Sequence, residues 1–126
     1  SINFDSLPVI HLSECPSQEV GLFLRKADIL VTDYSSVWID FLLLDRPIVS
    51  FCPDLLNYKE NRGFLYDYEN IFPGKINETF ESFMEELQES FSSPIIDEQI
   101  VIKQLFHEFL DGQNSERVSK KILSSL

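Results

Sequence analysis

Two short β-branched runs, Ile29-Leu30-Val31 and Ile48-Val49-Ser50-Phe51, flank an apolar segment, Val37–Leu44, that only Asp40 interrupts. A third such run, Pro8–Leu12, lies upstream. Between Pro8–Leu12 and Ile29-Leu30-Val31, Val20, Phe23, Leu24 and Ala27 recur at i, i+3, i+4 and i+7, which predicts a helix over about Glu19–Lys26. The order is therefore strand, helix, strand, helix, strand with short connections. Parallel strands need crossover helices, and short apolar strands alternating with helices are how such sheets read. We expect an α/β fold with a parallel sheet of at least three strands containing Val9–His11, Ile29–Val31 and Ile48–Ser50.

The helix over Ser36–Leu44 is apolar nearly all round, which implies burial on most sides, and Asp45-Arg46-Pro47 ends it. From Pro53 to Pro73 the periodicity dissolves into a Tyr-, Asn-, Asp- and Gly-rich stretch, read as a loop with at most a short helical turn. Loops of that length tend to be functional. Phe80, Phe83, Met84 and Leu87 then mark an amphipathic helix that Asn77 or Thr79 can cap. Its acidic residues Glu81, Glu85, Glu86 and Glu89 read as a solvated face. A further helix over about Asp97–Leu110 stops at Asp111-Gly112, and a last one starts near Ser115.

The 126 residues suit one domain, 1–126, and 44% hydrophobic content with eleven Phe supports a packed core. A net charge of −11 argues against a nucleic-acid surface, whose binding rests on cationic attraction. It also leaves no basic patch for membrane contact. Cys15 and Cys52, with no CxxC spacing, read as reduced core residues. No run reaches the length of about 18 apolar residues that a membrane span needs, and no basic leader opens the chain. The abrupt start is compatible with a piece of a larger protein. No His, Cys and carboxylate cluster has metal-ligand spacing, and no cofactor motif is present.

The most informative feature is the break Thr32-Asp33-Tyr34-Ser35-Ser36 between the second strand and its helix. Ligands of parallel α/β sheets bind at the carboxyl ends of strands. Amides at a helix start can hold a phosphate despite an acidic chain, and Ser35 or Ser36 can add a hydroxyl. The same residues are equally good N-caps. Asp40, four residues after Ser36, shares its face; its carboxylate would suit a ribose hydroxyl, a buried Arg, or simple exposure. Arg62 in the long loop could neutralise a pyrophosphate or pair with a nearby Glu. Tyr58, Tyr66 and Tyr68 could stack on a base or cover the sheet edge.

Three blocks in order, "ADILVTDYSSVWIDFLLLDRPIVSF", "RGFLYDYEN…PG" and "DGQNSERV", resemble the CDP-glycerol glycerophosphotransferase family of teichoic acid primases and polymerases. The likeness runs from about Ile10 to Leu123. It implies the C-terminal, donor-binding half of a two-domain GT-B-type fold with a Rossmann-like sheet, and a donor pyrophosphate at the strand–helix break. It implies donor contacts from Thr32, Asp33, Tyr34, Ser35, Ser36, Asp40, Arg62, Gly63, Ser115 and Arg117, with Asp111, Gly112 and Glu116 completing the last block. Gln113-Asn114 departs from the family's usual Lys-Ala and removes a cation.

The resemblance further implies CDP-glycerol or a similar nucleotide-activated donor as partner. A polymer acceptor would be held by an N-terminal domain that this chain lacks, and the whole enzyme would work in the cytoplasm at the inner face of the membrane. The family's catalytic His-Gly lies upstream. His11 and His107, neither followed by Gly, read as packed or solvated, so no catalytic residue is expected in this chain and no turnover from it alone. Two alternatives remain at this point. One is a related capsule or surface-polysaccharide transferase with another CDP- or UDP-activated donor; the other is a non-catalytic α/β interaction domain.

Overall fold

The computed structural model of the chain describes residues 20–63, 67–92, 95 and 97–125. Two strands, β1 (Leu30–Thr32) and β2 (Ile48–Ser50), pair in parallel with Leu30 opposite Ile48, Val31 opposite Val49 and Thr32 opposite Ser50. The third expected strand, Val9–His11, lies outside the described residues, as do Cys15 and Tyr66. Seven helices surround the pair: α1 (Val20–Leu24), α2 (Val37–Phe41), α3 (Leu55–Asn61), α4 (Tyr68–Ile71), α5 (Phe80–Ser90), α6 (Asp97–Phe106) and α7 (Asn114–Leu123). The architecture among the described residues is α/β, with β1 and β2 joined through α2 as parallel pairing requires.

The core forms where α2 lies across the strands. Trp38, Phe41 and Leu42 are buried with Ile48, Cys52, Leu55, Tyr68 and Phe72. The Trp38 ring meets Phe72 edge-on at 5.7 Å and Phe106 at 5.3 Å, geometries that add to the area these rings bury. A 3₁₀ turn, Leu42–Leu44, continues α2, and Asp45 ends it in the left-handed region at φ 51°. The next residue locks the connection. The Arg46 guanidinium donates to the Arg25 and Ala27 carbonyls beyond α1, while the Gln99 amide of α6 donates to the Arg46 carbonyl. Asp40 and Leu43 face outward, so the helix is buried on one side rather than on most sides.

The segment read as a loop holds two helices, which corrects the sequence reading. Leu55 anchors α3 in the core, and Gly63 (φ 68°) ends it, its N–H and that of Arg62 both donating to the Tyr58 carbonyl. Tyr68 and Phe72 anchor α4. Two helices this short expose most of their residues, so neither shows an extended apolar period in the sequence. Thr79 rather than Asn77 caps α5, its hydroxyl accepting from Ser82 N–H at 3.2 Å.

Asn77 is buried for another reason. Its N–H donates to Ser50 Oγ at 2.9 Å, its amide to the Ser50 carbonyl at 3.1 Å and to the Glu86 carboxylate, and its carbonyl accepts from Cys52 N–H at 2.7 Å. Glu86 is accordingly half-buried, not part of a solvated face.

Burial pushes the Glu86 carboxyl above its ordinary value of 4.5, with the Asn77 amide and then Lys75 pulling against that. The folded chain thus keeps this proton to higher pH than the unfolded chain, and the resulting stability is complete below 4.5 and lost as pH rises through the folded value. We expect wild type to gain melting temperature relative to Glu86→Gln as pH falls from about 7 to about 4. A difference that stays flat or shrinks contradicts the buried arrangement.

Candidate functional site

At the carboxyl end of β1 the ladder stops when Phe51 N–H donates to the Thr32 carbonyl at 2.9 Å. The chain then turns on its own side chains. Asp33 Oδ1 accepts from Ser35 N–H at 2.9 Å, and Ser35 Oγ accepts a longer bond from Val37 N–H at 3.4 Å, the local chemistry by which Asp and Ser build turns. The amides of Ser35 and Val37, expected to face an open cleft, therefore already have partners. Ser36 sits at the N-cap position without a side-chain cap bond. Among the described residues its N–H and hydroxyl have no partner, and the residue is exposed. A hollow of about 400 Å³ lined by Val31, Thr32, Asp33 and Phe51 adjoins the break. With five residues, α2 sums few peptide dipoles, so any anion here is held by individual N–H and O–H donors rather than by a macrodipole.

The far wall of the site comes from α3 and α4. The Tyr34 hydroxyl donates to Asp54 Oδ1 at 2.7 Å, and its ring stacks on Tyr58 with centroids 3.9 Å apart. Tyr68, deep in the core, donates its hydroxyl to the Asp33 carbonyl at 2.8 Å. Burial pushes both phenols above the ordinary tyrosine range; the Asp54 carboxylate adds to this at Tyr34, and the nearby Cys52 thiol does so at Tyr68. Cys52 is itself pushed up to about 11, chiefly by burial. Neither Asp54 nor the Tyr68 hydroxyl was singled out by sequence reasoning, because spacing carries no sign of a contact across 20 or 35 residues.

The remaining candidates divide into two groups. Asp54, Tyr58 and Arg62 succeed one another at four-residue spacing along α3 and its two ends; Asp54 and Tyr58 meet Tyr34. Arg62 is exposed and its guanidinium has no ion pair among the described residues, so the pairing with a nearby Glu is not seen there. Gly63 serves the end of α3. Asp40 is exposed on α2, four residues from Ser36.

The last block sits elsewhere. Asp111 accepts from Gln113 N–H at 3.0 Å and from Arg117 at 2.9 Å, and the Arg117 guanidinium lies 4.0 Å over the Phe109 ring. That pairing holds the Asp111 carboxyl down to about 2. No hydrogen bond, ion pair or ring contact among the described residues joins Ser115 or Arg117 to the break. His107 follows α6, and its Nε2 lies 2.7 Å from the Ile39 carbonyl, a packing role. The described residues include no group of His, Cys, Asp and Glu able to hold a metal ion, and no helix long and apolar enough to cross a membrane.

A family profile described as CDP-Glycerol:Poly(glycerophosphate) glycerophosphotransferase matches residues 11–124. The chain belongs to this family. Among its relatives, the teichoic acid poly(ribitol-phosphate) polymerase of Bacillus spizizenii is 34% identical over 107 residues, covering 84% of this chain and 17% of that protein. The teichoic acid poly(glycerol phosphate) polymerase of the same organism is 46% identical over 65 residues, covering 51% and 16%. The teichoic acid glycerol-phosphate transferase of Staphylococcus aureus is 38% identical over 99 residues, covering 76% and 25%. The chain thus matches no more than a quarter of the length of these relatives. No solved structure shows a significant match.

In this glycerophosphotransferase-family chain, two separated sequence blocks meet at one place: the DYSS break and the loop helices carrying Tyr58, Arg62 and Tyr68. An alkaline titration of phenolate absorbance checks that meeting. Tyr34 and Tyr68 are expected to ionise after the ordinary tyrosine range near 10. Tyr34→Phe and Tyr68→Phe should each remove amplitude from that late stage, and a late stage that survives both substitutions contradicts the geometry.

Proposed function

We propose that this chain is the nucleotide-donor-binding domain of a transferase that moves glycerol phosphate from CDP-glycerol to a hydroxyl of a surface polymer such as teichoic acid. The observation that carries the reading is the break itself: a parallel strand ending at Thr32 and an exposed Ser36 with uncommitted N–H and hydroxyl, with an exposed Arg62 at the end of α3. Family membership and the names of the relatives supply the chemistry. In this reading the domain, 1–126, is the C-terminal half of a GT-B-type fold. The whole protein works at the cytoplasmic face of the membrane, where nucleotide-activated donors are made.

The roles follow from chemical type. Ser35 and Ser36 face the pyrophosphate, Arg62 supplies countercharge, and Gly63 lets the backbone approach. Thr32, Asp33 and Tyr34 shape the turn, and Asp40 meets the ribose. Ser115 and Arg117, which no described contact joins to the break, would meet another part of the donor from the start of α7. Phosphoryl transfer asks for positioning and charge stabilisation more than covalent chemistry. The base that takes the acceptor proton belongs to the rest of the protein, as does the acceptor site. A second reading changes only the polyol: four of the relatives are named for ribitol phosphate.

Calorimetric titration with CDP, UDP, CDP-glycerol and CDP-ribitol decides between these. Ser36→Ala is expected to weaken CDP binding by roughly 1 kcal/mol, one neutral hydrogen bond. Arg62→Ala should cost more, roughly 1.5–3 kcal/mol, because its bond is charge-assisted. Since Ser36 makes no cap bond, its melting temperature should hold. A drop in Ser36→Ala stability with unchanged CDP affinity overturns the reading. The chain alone should also not turn over CDP-glycerol; product above a heat-killed control rules out an external base.

A further inference from the structure

Tyr68 is 3% exposed, and its ring packs on Phe72 at 5.4 Å. Packing of that kind needs only a phenyl group. The hydroxyl does something different: it leaves α4 and donates to the Asp33 carbonyl, 35 residues away. That carbonyl is the first beyond the β ladder, whose last bond goes to Thr32. Neither strand nor α2 supplies it with a donor, and Tyr68 is its only one among the described residues. The bond is part-buried, so losing it costs the turn about one hydrogen bond, and the turn has reason to stay where this hydroxyl holds it. The Asp33 carboxylate meanwhile binds Ser35 N–H. Asp33 is thus gripped at its main chain by α4 and at its side chain by the turn, and the direction of Ser36 follows from both.

We propose that Tyr68 is a positioning residue of the donor site: its hydroxyl holds the Asp33 carbonyl so that the Asp33–Ser36 turn presents the Ser36 N–H and hydroxyl to a phosphate group. This rests on the donor-site reading and deepens it. It also gives the loop helices a function beyond covering the core, since α4 sets the geometry of the strand–helix break. Arg62 and Tyr68 then act from the same segment in different ways, one by charge and one by alignment.

The test is Tyr68→Phe in the 126-residue chain, which keeps the ring and deletes one hydroxyl. Amide exchange of Ser35, whose N–H the Asp33 carboxylate holds, read by NMR without ligand, should quicken about tenfold, the effect of one hydrogen bond, while α5 amides stay unchanged. The CDP dissociation constant should rise by a similar factor of about ten. Phe72→Leu is the packing control: it keeps the hydroxyl, so it should lower the melting temperature without changing turn exchange or CDP affinity. Unchanged Ser35 exchange in Tyr68→Phe overturns the proposal. Quickened exchange with unchanged affinity, in a chain that binds CDP, overturns it as well. If the wild-type chain does not bind CDP, the donor reading falls, and the exchange measurement still decides whether Tyr68 holds the turn.

Discussion

Strand β2 is buried along its whole length, and every polar group on it must find a partner away from water. On one side β1 meets this demand through the parallel ladder. On the other, the irregular segment Lys75–Asn77 does so. Ser50 Oγ donates to the Lys75 carbonyl, and Asn77 serves Ser50 and Cys52 with both main chain and side chain. Asn77 is then tied to α5 through Ser82 and Glu86. The placement of α5, the burial of Glu86 and the line along which the chain returns after α4 all follow from satisfying one buried strand.

The same constraint sets where the site opens. The ladder between β1 and β2 ends at Thr32 and Phe51, so the next residues of both strands leave the sheet together. Main-chain groups past that point need other partners. The Asp33 carbonyl finds one in Tyr68 while its carboxylate takes Ser35 N–H, whereas the exposed Ser36 is left with its donors unpartnered among the described residues. A binding site at strand ends is thus a consequence of where pairing stops. The specific contribution of this chain is the brace from α3 and α4, in which Tyr34 meets Asp54 and Tyr58 while Tyr68 meets Asp33.

Charge at the break is finely divided. The chain carries −11 overall, and Asp33 and Asp54 stand at the site itself. Both carboxylates are engaged, one by Ser35 N–H and the other by the Tyr34 hydroxyl. Beyond about 8 Å, physiological salt screens the acidic surface from a ligand. In the proposed site, what a phosphate would meet at contact range is Ser36 and Arg62. This is why an acidic protein is no obstacle to a local anion site, and why the cation at the end of α3, Arg62, carries so much of the proposed affinity.

Much was legible from residue order alone. The alternation of apolar runs required β1, α2 and β2 and their parallel pairing, because only a crossover fits between Val31 and Ile48. The isolated polar run at Thr32–Ser36 marked the strand end as the place to look. The amphipathic periods marked α5, α6 and α7. The helices α3 and α4 were hidden because each is too short to repeat its apolar face, and their anchors, Leu55, Tyr68 and Phe72, acquire meaning only against Trp38 and Cys52. Glu86 read as surface since nothing in its neighbours announces Asn77. The sequence by itself thus determined the order of elements and the location of the break, which depend on local period and chain length. Tertiary structure alone decided which donors at the break stay free, because that depends on Tyr68 reaching Asp33 and Tyr34 reaching Asp54, contacts that only packing creates.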